Sequence, residues 1–299
     1  MTGGHVTFTE GSYLNAVETY LIGRVVELSH RLAAYAPHDS RALIRLFSTN
    51  YELSCVKEIL RAIADQVEPE EALRHVVPAG KFTQERCKEL IEARNPNRVV
   101  DSIENEGLKH FLVPKLTGER SAMAVVAAID QYYYTKLWSA ANLPDPLDAQ
   151  SARRLIGELI DHLNITLAFR ARLMGLDARS VADLMIPVNY GLGHSLTELS
   201  ESTNIQNLMR VLEKTPYAMA FEGRAIGDGS AAGVEGALKR RHARSCLNAF
   251  AGSPFNVGLA LAFLFLKNYE LHDLFAIING KANNVSADRV LGSLVLRGS

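Results

Sequence analysis

The chain has 299 residues, of which 47% are hydrophobic and 22% charged, with a formal net charge of −1. That length exceeds one ordinary hydrophobic core and predicts two or three lobes, at roughly 100–200 residues per domain. The composition excludes a disordered chain, and the near-neutral charge excludes a global field drawing the protein toward nucleic acid or acidic lipid.

Along the chain, helical signals dominate. The opening region carries Glu10 and Glu18 and lacks the basic start and apolar run of a signal peptide. Apolar residues recur at three- and four-residue spacing over Tyr13–Ala34, Arg41–Ile63, Ala122–Ala141, Ala152–Leu173 and Leu238–Ala249, as one buried helix face requires. In the second segment Leu53, Val56, Ile59, Leu60 and Ile63 form the stripe, with Lys57, Glu58 and Arg61 opposite. Alternating strand patterns are nearly absent, so the fold class is all-α. Gly223–Gly236 holds five glycines among small residues and reads as a flexible linker. The run Lys239–Arg244 has no interleaved aromatic residues and reads as a solvated helix face. Val257–Leu266 is strongly apolar but far shorter than the ~20 residues that span a bilayer, so a buried core helix is expected there. Cys55, Cys87 and Cys246, odd in number and widely spaced, argue against a disulfide framework or zinc site and suit a reducing compartment.

An internal repeat is the most informative feature. Tyr51–Pro78, Ile160–Pro187 and Tyr269–Leu296 superpose without gaps at an offset of 109 residues. Each copy reads as helix, tight turn, helix. The first helix is expected to begin near an acidic residue (Glu52, Asp161, Glu270), with His162 and His272 at such starts. The turn position holds Gln66, Gly175 and Asn284, and only the latter two suit a left-handed helix end. Glu68, Asp177 and Ser286 are the expected caps of the second helix, with Pro69 at its first position. That helix is expected to bury Ala72, Val181 and Val290, then Val76, Met185 and Leu294. The repeat continues in two copies through Val100–Leu108 and Met209–Tyr217.

Motifs that carry chemistry are missing. Nine histidines form no HExxH or equivalent metal spacing. Gly191-Leu192-Gly193-His194 follows no strand, and Gly280-Lys281 lacks a phosphate loop. Glu70-Glu71 with Asp65 reads as solvated helix-end charge, and Tyr132-Tyr133-Tyr134 with Trp138 as packing between lobes. Nothing assembles a nucleophile, a base and an oxyanion site. No cofactor, metal or catalytic residue is expected.

The C-terminal segment carries a resemblance. Ser253-Pro254-Phe255, an apolar helix, Lys267-Asn268-Tyr269-Glu270-Leu271-His272-Asp273-Leu274 and Ile277-Ile278-Asn279-Gly280-Lys281-Ala282 resemble a signature of the C subunit family of A-type (archaeal/vacuolar-type) ATP synthases, homologous to the d subunit of the vacuolar ATPase. Lys267, Glu270, Leu274, Ile277, Gly280, Lys281 and Ala282 match, while Asn268, Asp273 and Phe275 depart from it. Asp130, Tyr133-Tyr134, Asp161-His162-Leu163-Asn164, Arg170-Ala171, Ile186-Pro187 and Leu212–Tyr217 are similar to the same family, as is Tyr13-Leu14-Asn15-Ala16, where Val17 replaces an arginine.

The resemblance implies three similar helical lobes set with pseudo-threefold symmetry into a funnel. On this chain they would be residues 1–117, 118–222 and a shorter 237–299, the last preceded by the linker 223–236. It also implies a non-catalytic rotor component on the cytoplasmic face of a membrane. Its partners would be the D and F subunits of the central stalk and the proteolipid ring. Asp161, Asn164, Arg170, Lys267, Glu270, Asp273, Gly280 and Lys281 are the candidate structural or partner-contact residues. Two other readings stand beside it. A helical-repeat scaffold unrelated to rotary ATPases would show shorter periods of about 20–50 residues. An all-α enzyme would show a cleft with convergent polar groups.

Overall fold

The apolar stripes of the sequence fold as helices, in a computed structural model that describes residues 10–116, 122–221, 231–252 and 255–297. In chain order these are α1 (Glu10–Tyr35), α2 (His38–Ala64), α3 (Pro69–His75), α4 (Gln84–Glu92), α5 (Pro96–Asp101), α6 (Glu106–Leu116) and α7 (Ala122–Ala140). There follow α8 (Pro146–Leu173), α9 (Ala178–Leu184), α10 (Ser195–Glu201), α11 (Ile205–Glu213), a 3-10 turn (Ala218–Ala220), α12 (Ala231–Ala249), α13 (Val257–Ala282) and α14 (Ala287–Ser293). No β-strand occurs among the described residues, and no helix there is long and apolar enough to cross a membrane.

The 109-residue period governs the backbone. The long helices α2, α8 and α13 end at Ala64, Leu173 and Ala282, and the short helices behind them begin at Pro69, Ala178 and Ala287. Between them stand Gln66, Gly175 and Asn284, all left-handed, at φ 52°, 71° and 53°. The residue after each donates its N–H back into the long helix: Val67 to Ala62 O at 3.0 Å, Leu176 to Ala171 O at 3.0 Å, Val285 to Gly280 O at 2.8 Å. This bond satisfies a carbonyl that the helix end would otherwise leave unpaired. Gln66, whose residue type does not suit the left-handed position, therefore makes the same turn at some steric cost. Asn95 and Asn204, again one period apart, cap α5 and α11 through their side chains.

Contacts between units follow a rule. The first helix of each unit packs on the long helix of the unit before it: α7 on α2 and α12 on α8, while α1 packs on α13. The last contact joins the N-terminal helix to the third unit, a pairing that the sequence alone does not decide. The largest core cluster accordingly draws Val25, Ile59, Ile129, Ile156 and Leu264 from α1, α2, α7, α8 and α13. A second cluster, around Phe169, Leu199, Leu212 and Leu238, fills the middle unit.

Several expectations change. Glu52, Asp161 and Glu270, with His162 and His272, lie deep inside helices that begin at His38, Pro146 and Val257, so they do not meet a helix N-terminus. The start of α8 is set instead by Asp145, whose carboxylate accepts the N–H groups of Leu147 and Asp148 at 2.8 and 2.9 Å, with Pro146 in the first position. Of the three expected caps of the short helices only Asp177 bonds the helix through its side chain. Ala72, Val181, Val76 and Met185 are buried as expected, but Val290 and Leu294 are only partly so. The glycine-rich stretch is half helix: residues 231–236 form the start of α12, with Val234 fully buried, and 223–230 lie outside the described residues. The expected boundaries at 117/118 and 222/223, and Ser253-Pro254, lie outside them too. The basic run is not a solvated face. Lys239 meets Glu235 at 2.8 Å, Arg241 meets Glu158 at 3.4 Å, and His242 and Ala243 are fully buried, because α12 is wedged between α8 and α13.

Candidate functional site

Each seam between units carries a polar pair. In the first, Lys57 on α2 meets Asp130 on α7 at 2.7 Å, and their side chains are 13% and 32% exposed. In the second, Arg170 on α8 pairs with Glu235 on α12, which Lys239 also contacts. Burial opposes the charge on Glu235, but Lys239 and Arg170 together hold its carboxyl below the usual range. In the third, Asn279 on α13 donates to Glu18 on α1 at 3.0 Å. Asn279 lies one period beyond Arg170, so an acid on a first helix meets its partner at matching positions in two seams.

Inside the seams, α2, α8 and α13 converge on a hollow of about 380 Å³. Phe47 and Tyr51, His162, and Phe265 and Tyr269 line it, with Lys57, Asp130, Arg170, Glu235 and Lys239 also in its wall. The Tyr51 hydroxyl donates to Asn268 Oδ1 at 3.1 Å, joining α2 to α13. His242 joins α12 to both neighbours. Its Nε2–H donates to Leu155 O at 2.8 Å, which leaves Nδ1 to accept from the Tyr269 hydroxyl at 2.7 Å. Burial pushes this imidazole down to about 4, so it is neutral at ordinary pH. His162 packs edge-on to Tyr217 and His242, and neither of its ring nitrogens has a hydrogen-bond partner. Burial lowers it well below the ordinary histidine value.

The predicted residues divide into two groups. Asp161 is fully buried and accepts the N–H of Gly191 at 2.6 Å and the Tyr217 hydroxyl at 2.6 Å. It thereby ties α8 to the loop after α9. Burial raises its carboxyl, and these donors oppose that rise. Asn164 exchanges two bonds with Ile186, its Nδ2 donating to the carbonyl at 3.0 Å and its Oδ1 accepting from the N–H at 2.9 Å. Asp273 accepts from Val295 and Leu296 N–H at 2.8 and 2.9 Å. Gly280 sits where a Cβ would collide with Val290 Cγ2, so its role is close packing and not a left-handed turn. The remaining four face outward. Arg170 holds Glu235 from an exposed position, Lys267 pairs with Glu270 at 2.6 Å on the surface of α13, and Lys281 is exposed in its last turn. These eight do not converge on one spot.

Sequence reasoning missed Asp130 and Glu235 as seam acids, and Asn15 and Gln131 as clamps. Asn15 on α1 donates to Leu73 O and Val76 O at 3.1 and 2.8 Å, and Gln131 on α7 donates to Asp183 O and Met185 O, both at 2.8 Å. Both amides therefore cap the short helix of their own unit. Val76 and Met185 are one period apart, and that spacing is the signal that could have found them. Cys55 and Cys87, distant in sequence, come together as free buried thiols with sulfurs 3.4 Å apart. No cluster of three His, Cys, Asp or Glu able to hold a metal occurs among the described residues.

Residues 7–292 match the family model described as ATP synthase (C/AC39) subunit. The chain is similar to the C subunit of the A-type ATP synthase of Methanocaldococcus jannaschii, with 23% identity over 94% of this chain and 72% of that protein. The corresponding protein of Methanosphaera stadtmanae is 24% identical over 93% of this chain and 74% of its own length. For that of Pyrococcus horikoshii the figures are 22%, 94% and 76%.

Proposed function

Because this chain belongs to the ATP synthase (C/AC39) subunit family, we propose that it is a non-catalytic component of the rotor. In this reading it couples the D and F subunits of the central stalk to the proteolipid ring, at the cytoplasmic face of the membrane. The three units, near residues 1–117, 118–222 and from α12 at 231 to 299, form the sectors of a pseudo-threefold funnel. The stalk foot enters beside the hollow lined by α2, α8 and α13, and the opposite end rests on the ring. Torque passes through the body, and ion transport is linked to ATP synthesis or hydrolysis elsewhere in the complex.

The observation that carries the reading is the closure of the seams. α1 returns to α13, so three helical units are joined at three places and not at two. An adaptor under torque gains from such closure, because no seam is free to open. The outward-facing Arg170, Lys267, Glu270 and Lys281 are the partner-contact residues in this reading, and Asp161, Asn164, Asp273 and Gly280 build the frame.

Co-purification with the D/F heterodimer, and with proteolipid rings in detergent, tests the proposal. Folded protein that captures neither, alone or together, would overturn it. Reversing charge at Lys267 and Lys281 together should weaken capture of one partner and leave the melting temperature unchanged.

A further inference from the structure

Two cysteines far apart in sequence meet inside the first unit. Cys55 on α2 and Cys87 on α4 are both buried, and their sulfurs stand 3.4 Å apart as free thiols. Buried cysteines often serve as small apolar packing. The repeat gives this pair a different standing. One period after Cys55 stands Asn164 and two periods after it Asp273, and both bond through their side chains to the segment leaving the short helix. The first unit thus has a sulfur where its sisters have a hydrogen-bonding clamp, and that sulfur faces a second one. Leu196 stands one period after Cys87, so the middle unit has neither thiol. Cys87 lies in the first turn of α4, where the positive end of the helix dipole favours a thiolate. A hydrogen bond from Cys55 lowers the Cys87 thiol against the effect of burial, and that same bond, with burial, raises Cys55. The Cys87 sulfur also lies 3.7 Å from the Phe82 carbonyl. Two cavities, of about 790 and 810 Å³, have Phe82 in their walls, so a small oxidant comes within one residue of Cys87.

We infer that Cys55 and Cys87 are an oxidation site, closing to a reversible disulfide when a hydroperoxide reaches them. The Cys87 thiolate attacks one peroxide oxygen, the O–O bond breaks, and hydroxide leaves with the proton that the thiol gave up, forming water and a Cys87 sulfenic acid. The Cys55 sulfur then attacks the Cys87 sulfur, whose S–O bond breaks, and the departing hydroxide takes the Cys55 proton as a second water. Two thiols and one peroxide thus give one disulfide and two waters, with two electrons passing from sulfur to oxygen. Bond formation brings the sulfurs from 3.4 Å to about 2.05 Å. α4 is a nine-residue helix exposed along Glu85, Lys88, Glu89 and Glu92, so the shift falls on an element with an open outer side. The bond joins α2 to α4 between positions 32 apart, and closing that loop restricts the unfolded chain. In a reducing compartment it is a transient, oxidant-responsive state and not a structural staple. The pair stands apart from the rotor reading and does not depend on it.

The test treats the folded full chain with hydrogen peroxide, removes the excess with catalase, and alkylates the remaining thiols in denaturant. Intact mass before alkylation should fall by about 2 Da, the two hydrogens lost, and only Cys246 should then take the alkylating agent. Peptide mapping should find the Cys55 and Cys87 peptides joined, and dithiothreitol should return all three thiols. The oxidised chain should melt several degrees higher, and reduction should reverse that rise. Cys55→Asn installs the side chain of the middle unit, and its melting temperature should not respond to peroxide. Three alkylated cysteines after treatment, a link that includes Cys246, oxygen adducts in place of the bond, or a bond that forms only in urea would each overturn the inference. If Cys55→Asn does not fold, the peptide map of the unaltered chain still decides.

Discussion

Asn164 and Asp273, one period apart, hold the same backbone position in successive units: Asn164 Oδ1 accepts the N–H of Ile186 at 2.9 Å, and Asp273 Oδ1 accepts that of Val295 at 2.8 Å. Ile186 and Val295 are themselves one period apart. Each side chain thus fastens a long helix to the segment leaving the short helix. In the first unit Cys55 occupies this position and turns to Cys87 instead.

Asn164→Ala removes both bonds to Ile186 from a fully buried site and leaves the Ile186 N–H unpaired, while its C=O keeps the bond from the Val188 N–H at 2.8 Å. It should cost about 2–4 kcal/mol in urea unfolding. Asp273→Asn keeps one acceptor and places an amide near a second donor, so about 1–2 kcal/mol is expected. A cost under ~0.5 kcal/mol for Asn164→Ala would show that the clamp adds nothing.

Gly280→Val forces a side chain into the space of Val290 and should destabilise by about 1–3 kcal/mol. Val290→Ala made in the same chain should recover part of that loss. A double-mutant cycle measures the coupling, and strictly additive costs would place the collision elsewhere.

The three left-handed turns give opposite signs. Gly175→Ala, at φ 71°, should cost about 1 kcal/mol although open space surrounds it. Gln66→Gly relieves a non-glycine residue at φ 52°, and a gain of a few tenths to about 1 kcal/mol is expected from chemical denaturation. If both substitutions destabilise equally, the turn conformation is not what limits these positions.

Two buried histidines set the acid limb. Unfolded, both titrate near 6.5, while in the fold His242 titrates at about 4 and His162 is also strongly lowered. Unfolding therefore takes up protons once the pH falls below 6.5. Their contribution is intact at neutral pH and is lost on acidification toward 4. The slope approaches ~1.4 kcal/mol per pH unit for each histidine. Asp161, raised by burial, acts with the opposite sign nearer its own range, so the effect is cleanest above about pH 5. His162→Phe removes one proton from the slope and two unpartnered nitrogens from the interior. Stability curves from pH 5 to 7 should flatten by about one proton in this variant, and an unchanged slope would sink the assignment.

The helices were legible because a buried face repeats at three- and four-residue spacing, and α2 and α7 came within a few residues of their ends. The start of α8 was readable from Asp145-Pro146, yet apolar periodicity begins only at Ala152 and drew the boundary there. Asp161 and Glu52 were misplaced for a different reason. Asp161 takes the N–H of Gly191 and Glu52 packs against Gly80, each about thirty residues downstream, and no local pattern encodes that reach. The repeat itself held the answer, since Gly80, beside Glu52, lies one period before Asn189, next to the Tyr190 whose N–H Asp161 accepts. The seam acids were hidden in the same way. An isolated Asp130 or Glu235 on a helix looks like any solvated charge until the neighbouring unit is placed against it.

The return of α1 to α13 bears on how the molecule comes apart. A row of three units joined end to end would peel from either terminus, one unit at a time. Here the outermost helix of the first unit is also a wall of the last, and one apolar cluster runs from Val25 to Leu271. Pulling on either tip therefore loads two joints in shear at once, and calorimetry should find the first and third units melting in a single transition.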